Sequence, residues 1–154
     1  VHNFGGGGAA SLEEMWDVVL SAGREVYGIA VDDAHSFKEF GPTLSNPGRG
    51  WVSVQAAALT ESAIIQALER GQFYASTGVN LETMQRTTDG LAITIRQESD
   101  FKYTTRFTGK GGKVLATVHG LEAKYELKPG DAYVRATVSR SDGEFAWVQP
   151  AFGG

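Results

Sequence analysis

The sequence contains no cysteine and only three histidines, His2, His35 and His119. Without thiols there can be no disulfide and no thiolate metal site, so a metal centre would have to draw on carboxylates and very few imidazoles. No run of residues is long and apolar enough to cross a bilayer. No signal peptide is recognisable, in a sequence that begins with Val1 rather than Met. Positive charge is neither dominant nor clustered. The 14 Lys and Arg stand against 18 Asp and Glu, a net charge of −4, so nucleic acid and membrane are not expected partners. The lack of cysteine leans slightly toward a cytoplasmic location, although many bacterial periplasmic proteins share it. What is present is ordinary for a folded chain: of 154 residues, 42% are hydrophobic and 21% charged, which excludes a disordered protein.

Two halves differ in their periodicity. Residues 1 to 78 alternate between strand and helix patterns, whereas residues 79 to 154 read as strands only. Ser11-Leu12-Glu13-Glu14 has the form of a capping box, and Leu12, Met15, Trp16 and Val19 predict an apolar helix stripe that stops at Gly23. A strand is predicted over 26–31, then a turn-rich loop containing Pro42, Pro47, Gly48 and Gly50, then a strand over 51–55. Thr60 and Glu61 open a second helix with Ile64, Ile65 and Leu68 on its buried side, and Phe73-Tyr74-Ala75 forms a short strand. In the second half Leu91, Ile93 and Ile95 share a face, as do Val134, Ala136 and Val138, with turns at Asp89-Gly90, Gly109 to Gly112, Pro129-Gly130 and Asp142-Gly143. Six or seven such strands suggest an antiparallel sandwich, with an immunoglobulin-like arrangement among the options.

Asp32-Asp33-Ala34-His35 follows directly on the apolar run Val26 to Val31. Along a regular strand, side chains two residues apart lie on one face about 7 Å from each other, so Asp33 and His35 are expected to converge. A carboxylate oxygen beside an imidazole nitrogen suits Zn, Mn or Fe. A solvated acidic turn is the competing reading of the same four residues. Trp16, Trp51, Phe73, Tyr74 and Trp147 are expected in the core. Gly109-Lys110-Gly111-Gly112 reads as a hairpin turn, because a phosphate loop would lead into a helix. Ser76-Thr77-Gly78 has no histidine placed to activate the serine.

The run from Glu14 to His35 resembles the last barrel segment of the PHP (polymerase and histidinol phosphatase) superfamily. Later pieces agree in order: Gly50-Trp51-Val52-Ser53-Val54, then Ala67 to Gly78, then Ala146-Trp147-Val148-Gln149-Pro150. They are similar to a branch of that superfamily in which the catalytic domain carries a β-rich tail. The resemblance implies a distorted β/α barrel whose divalent metals, Zn, Mn or Fe, activate water to attack a phosphate ester. It assigns Asp33 and His35 to the final Asp-x-His metal motif and leaves Asp32 out. The family's opening His-x-His motif and its central ligands have no counterpart here, and His2 and His119 do not replace them. The expectation is therefore an α+β chain. Residues 1–78 would hold the closing β/α elements of a PHP-type barrel, and residues 79–154 an antiparallel β-sandwich.

The function expected on this basis is that of a piece of a metal-dependent phosphoesterase, acting on a phosphate ester and inactive alone for want of ligands. Helix faces and a strand edge left open by missing upstream strands would favour a homo-oligomer. The alternative from another class is a non-enzymatic binding module centred on the sandwich, with the Trp147 region and the turns at Asp89 and Asp142 as its surfaces.

Overall fold

The computed structural model describes residues 2–3 and 10–153, with side chains from residue 12 onward. The first elements are β1 (His2–Asn3), β2 (Ala10–Ser11), α1 (Glu13–Ser21), β3 (Ala30–Val31), β4 (Trp51–Val54), α2 (Glu61–Glu69) and β5 (Phe73–Ser76). Then follow β6 (Leu81–Thr87), β7 (Gly90–Ile95), β8 (Tyr103–Gly109), β9 (Lys113–His119), β10 (Glu122–Glu126), β11 (Tyr133–Arg140) and β12 (Phe145–Phe152).

Alternation of apolar and polar residues in the second half produces two antiparallel sheets. The smaller has the order β10-β7-β6 and the larger the order β4-β5-β12-β11-β8-β9. Their facing sides share one core. Leu91, Ile93 and Ile95 from β7 meet Tyr103 and Phe107 from β8, Val134, Ala136 and Val138 from β11, and Ala146 and Val148 from β12. Each large side chain so enclosed contributes roughly 1.5–3 kcal/mol. A third, small ribbon of two-residue strands has the order β2-β1-β3, with β1 antiparallel to β2 and parallel to β3.

The expected α+β arrangement, with barrel elements followed by a separate sandwich, is overturned. The described chain is mostly β-sheet with two nine-residue helices, and no barrel remnant is shown. β4 and β5, expected among the barrel elements, instead extend the larger antiparallel sheet. β5 pairs with β12 through Ser76, Ala75 and Tyr74 opposite Ala146, Trp147 and Val148. The physical reason lies in β5 itself. All four of its residues are buried, so both of its faces need cover: Tyr74 joins the core between the sheets, and Ala75 joins a second cluster under α1.

That second cluster makes a third layer. Trp16 and Leu20 of α1 pack with Tyr133 and Trp147 on the outer face of the larger sheet. The helix presents Glu13, Trp16, Asp17 and Leu20 inward, whereas Met15 (66%) and Val18 (71%) are exposed. The predicted stripe of Leu12, Met15, Trp16 and Val19 is thus turned by about one residue. Its cap also differs. Leu12 occupies the N-cap position without a side-chain hydrogen bond, and the Ser11 side chain lies outside the described residues, as do Gly5 to Gly8. α2 begins as predicted, with Thr60 Oγ1 accepting from the Ala63 amide, but it buries Ala67 and leaves Ile65 half exposed. Among the described residues no helix is long and apolar enough to cross a membrane.

Candidate functional site

The segment leading to Asp33 and His35 is anchored from two sides. Trp16 Nε1 donates to the Val26 carbonyl at 2.8 Å. Gln149, fully buried in β12, accepts from the Gly28 amide and donates back to the Gly28 carbonyl, both at 2.8 Å. This side-chain amide takes the place of a neighbouring strand. Consequently only Ala30 and Val31 of the predicted 26–31 strand pair as β3.

The strand ends before the acidic cluster, so alternation along it does not position Asp33 and His35. Asp33 has a positive φ of 48°, a left-handed turn that short polar side chains tolerate. The turn sends the His35 ring back onto the chain, where its Nδ1 lies 2.8 Å from the Asp33 carbonyl oxygen. A carbonyl can only accept, so Nδ1 carries a proton, which in the neutral form of the ring leaves the lone pair on Nε2. Both Asp33 and His35 are solvent-exposed. Asp32 has a different task. One of its oxygens accepts from the Ala34 amide at 3.2 Å, and the other accepts from the Gly48 amide at 2.7 Å, tying the two ends of the loop together.

The loop over residues 32–50 is organised from inside by Ser45 and Asn46, both buried. The Ser45 carbonyl accepts from the amides of His35 and Ser36, each at 3.0 Å. Asn46 Nδ2 donates to the carbonyls of Ser36 and Glu39, and its Oδ1 accepts from the Gly41 amide. Arg49 Nη2 donates to the Gly41 carbonyl at 2.7 Å. The loop returns close beneath β3: a Cβ at Gly50 would stand 3.0 Å from the Val31 carbonyl oxygen. Its outer turn carries Phe37 and Phe40 into solvent.

A second constellation lies under α1. Arg135 of β11 is buried and donates from Nε and Nη2 to the two oxygens of Asp17, and from Nη1 to Glu13 Oε2, each at 2.7 Å. Tyr133 and Thr137 also donate to these carboxylates, and Trp147 Nε1 donates to Glu13 Oε1 at 3.0 Å. Burial alone would raise the Glu13 carboxyl. The Trp147 hydrogen bond, the Arg135 charge and the Thr137 hydroxyl outweigh it and hold the group below its ordinary value. A groove of about 950 Å³ opens beside this network, between α1 and the β8–β9 hairpin, lined in part by Glu14, Val18, Arg106 and Val114.

Other sequence candidates fall into structural places. Trp147 is buried, so it offers no surface platform. Ser76 Oγ donates to the Val79 carbonyl at 2.7 Å from a fully buried position, which suits a turn-holding role. Gly109 to Gly112 connects β8 to β9 as the predicted hairpin. His119 pairs with the Thr104 hydroxyl on the sheet edge. The side chains of His2 and Asn3 lie outside the described residues. Among the described residues no group of three or more His, Asp or Glu is gathered for a metal ion. Ser45, Asn46, Phe37 and Phe40 were not singled out by sequence; the Ser-Asn-Pro turn at 45–47 was their one local signal.

Comparison of the chain with family models, curated proteins and solved structures returned no match.

Proposed function

We propose that Asp33 and His35 are ligands to a divalent cation, Zn, Mn or Fe, in a hydrolase of phosphate esters. The observation that supports this reading is the His35 ring. A hydrogen bond from Nδ1 to a backbone carbonyl favours the tautomer whose Nε2 is free to bind, and metal-binding histidines are commonly held in this way. A carboxylate and an imidazole two residues apart in sequence are donor types that suit these metals. The resemblance of the flanking segments to the PHP superfamily supplies the reaction class. When bound, a cation of this kind lowers the pKa of water and neutralises phosphate oxygens. The chain's own part is positional: Asp32 and Asn46 hold the loop that carries both ligands. Two ligands bind weakly, since catalytic sites use three or more. On this reading the chain by itself turns over no substrate.

The test is a titration with Mn²⁺ followed by nuclear magnetic resonance. The paramagnetic ion should broaden the amides of Ala34 and Ser36 selectively, and Asp33→Ala or His35→Ala should abolish that effect. Equal broadening in both variants would refute the assignment.

The second reading, a non-enzymatic binding module, draws on the groove beside α1. It predicts that ligand-induced shifts in the same spectra cluster at Val18, Arg106 and Val114 instead of the loop.

A further inference from the structure

Met15 and Val18 are the most exposed large apolar side chains on either helix, at 66% and 71%. In a helix, residues three or four apart share a face, so Met15, Val18 and the exposed Ala22 that caps α1 form one stripe. The stripe lies opposite the inward face of Glu13, Trp16, Asp17 and Leu20, and among the described residues nothing covers it. The groove beside α1 extends this apolar surface, since Val18 and the half-exposed Val114 both line it. Single apolar residues in water need no explanation, but a stripe that runs the length of a helix marks a contact surface.

Charge of opposite sign stands at the two ends of the stripe. Glu14 lies in the first turn and Arg24 follows Ala22 by two residues, both of them exposed. Neither enters an ion pair among the described residues. Their acidic neighbours are already answered: Glu13 by Arg135, and Glu25 by Arg86 at 3.5 Å and the Tyr27 hydroxyl at 2.7 Å. A surface with acid at one end and base at the other complements itself when two copies run antiparallel. Parallel copies would set Glu14 against Glu14. Side-chain size agrees. With Met15 over Ala22 of the second copy, a long side chain covers a short one twice, and the two Val18 residues meet at the axis. Glu14 then faces Gly23 of the second copy, next to Arg24. The opposed helix dipoles favour the same direction.

We propose that α1 pairs with α1 of a second copy of this chain, antiparallel about a two-fold axis at Val18, to form a homodimer. The inference is independent of the metal assignment and goes beyond both functional readings. A nine-residue helix is about 14 Å long, which puts the contact at the small end of specific interfaces. The dimer is accordingly weak, with a Kd on the order of 10–100 μM.

The test combines sedimentation equilibrium with cross-linking of the full chain. The parent chain should pass from monomer to dimer between about 5 and 500 μM. Val18→Glu should weaken association at least about tenfold, because it buries two like charges at the axis. Glu14→Arg should weaken it about three- to tenfold, since symmetry removes two charge pairs at once, and Glu14→Arg/Arg24→Glu should restore it. The sequence has no cysteine, so one introduced thiol reports one position. Under mild oxidation Val18→Cys should form a disulfide-linked dimer, because the pairing brings the two residues within disulfide reach. Leu59→Cys, at the most exposed apolar residue of the chain, should stay monomeric. A parent chain that remains monomeric at about 1 mM would overturn the proposal. So would equal cross-linking at positions 18 and 59, or a charge-swapped variant no better than Glu14→Arg.

Discussion

Arg135 grips Asp17 through two parallel hydrogen bonds, Nε to Oδ1 and Nη2 to Oδ2, both 2.7 Å long, across 118 residues of sequence. Its guanidinium also lies over the Trp16 ring, 5.2 Å from the centroid. The pair fastens α1 to the larger sheet. Removing one partner leaves the other charge buried and uncompensated. Arg135→Met should therefore lower stability by about 3–5 kcal/mol in urea denaturation. The double variant Arg135→Met/Asp17→Leu should recover part of that loss, because the more deeply buried carboxylate is then gone and only Glu13 has lost its guanidinium partner. A double variant no better than the single one would contradict this account.

Glu13 makes stability depend on pH in a defined direction. Its folded carboxyl is held below the ordinary value of 4.5, so the folded state prefers the ionised form. The contribution is complete above the ordinary range and is lost as pH falls through the folded value. Urea midpoints should decline on acidification from about pH 6 to about pH 3. Glu13→Gln should flatten that decline. An equally steep decline in the variant would assign the effect to other carboxylates.

Gln149 should matter more than a polar residue in a sheet ordinarily does. Gln149→Leu strands both the amide and the carbonyl of Gly28, a buried residue. Leaving such groups unpaired costs about 1–3 kcal/mol. The expected signature is faster hydrogen exchange at Gly28 together with a lower urea midpoint. An unchanged exchange rate would show that the bond is dispensable.

Asn46→Ala should loosen the loop over 32–50 without unfolding the sheets. Amide exchange at Gly41 and His35 should accelerate by about 10- to 100-fold, while exchange in β11 stays the same. Acceleration throughout the chain would mean that the loop is part of the global core.

Much of the second half was legible because its alternation is strict: the Leu91, Ile93 and Ile95 row and the Val134, Ala136 and Val138 row both enter the core between the sheets. The inward face of α1 was not legible. Counting apolar residues selects Leu12, Met15, Trp16 and Val19, whereas two carboxylates face inward because Arg135, more than a hundred residues later, neutralises them. β5 was recognisable as a strand from Phe73-Tyr74-Ala75, but not its sheet, since its partner β12 lies some seventy residues away. Asp33 and His35 were singled out as candidates by residue type and spacing. The positive φ at Asp33 that sets their geometry leaves no trace in a strand pattern. Asn46 escaped notice because a buried asparagine in a Ser-Asn-Pro turn reads like any exposed one.

β12 sits third in the six-stranded order although it is the last of the described strands in sequence. During synthesis on the ribosome, β5 and β11 have no common neighbour until residues 145–152 leave the exit tunnel. Until then β4–β5 and β11–β8–β9 are two unjoined pieces with open edges. The nascent chain thus depends on a strand that emerges after all the others of that sheet to become one sheet.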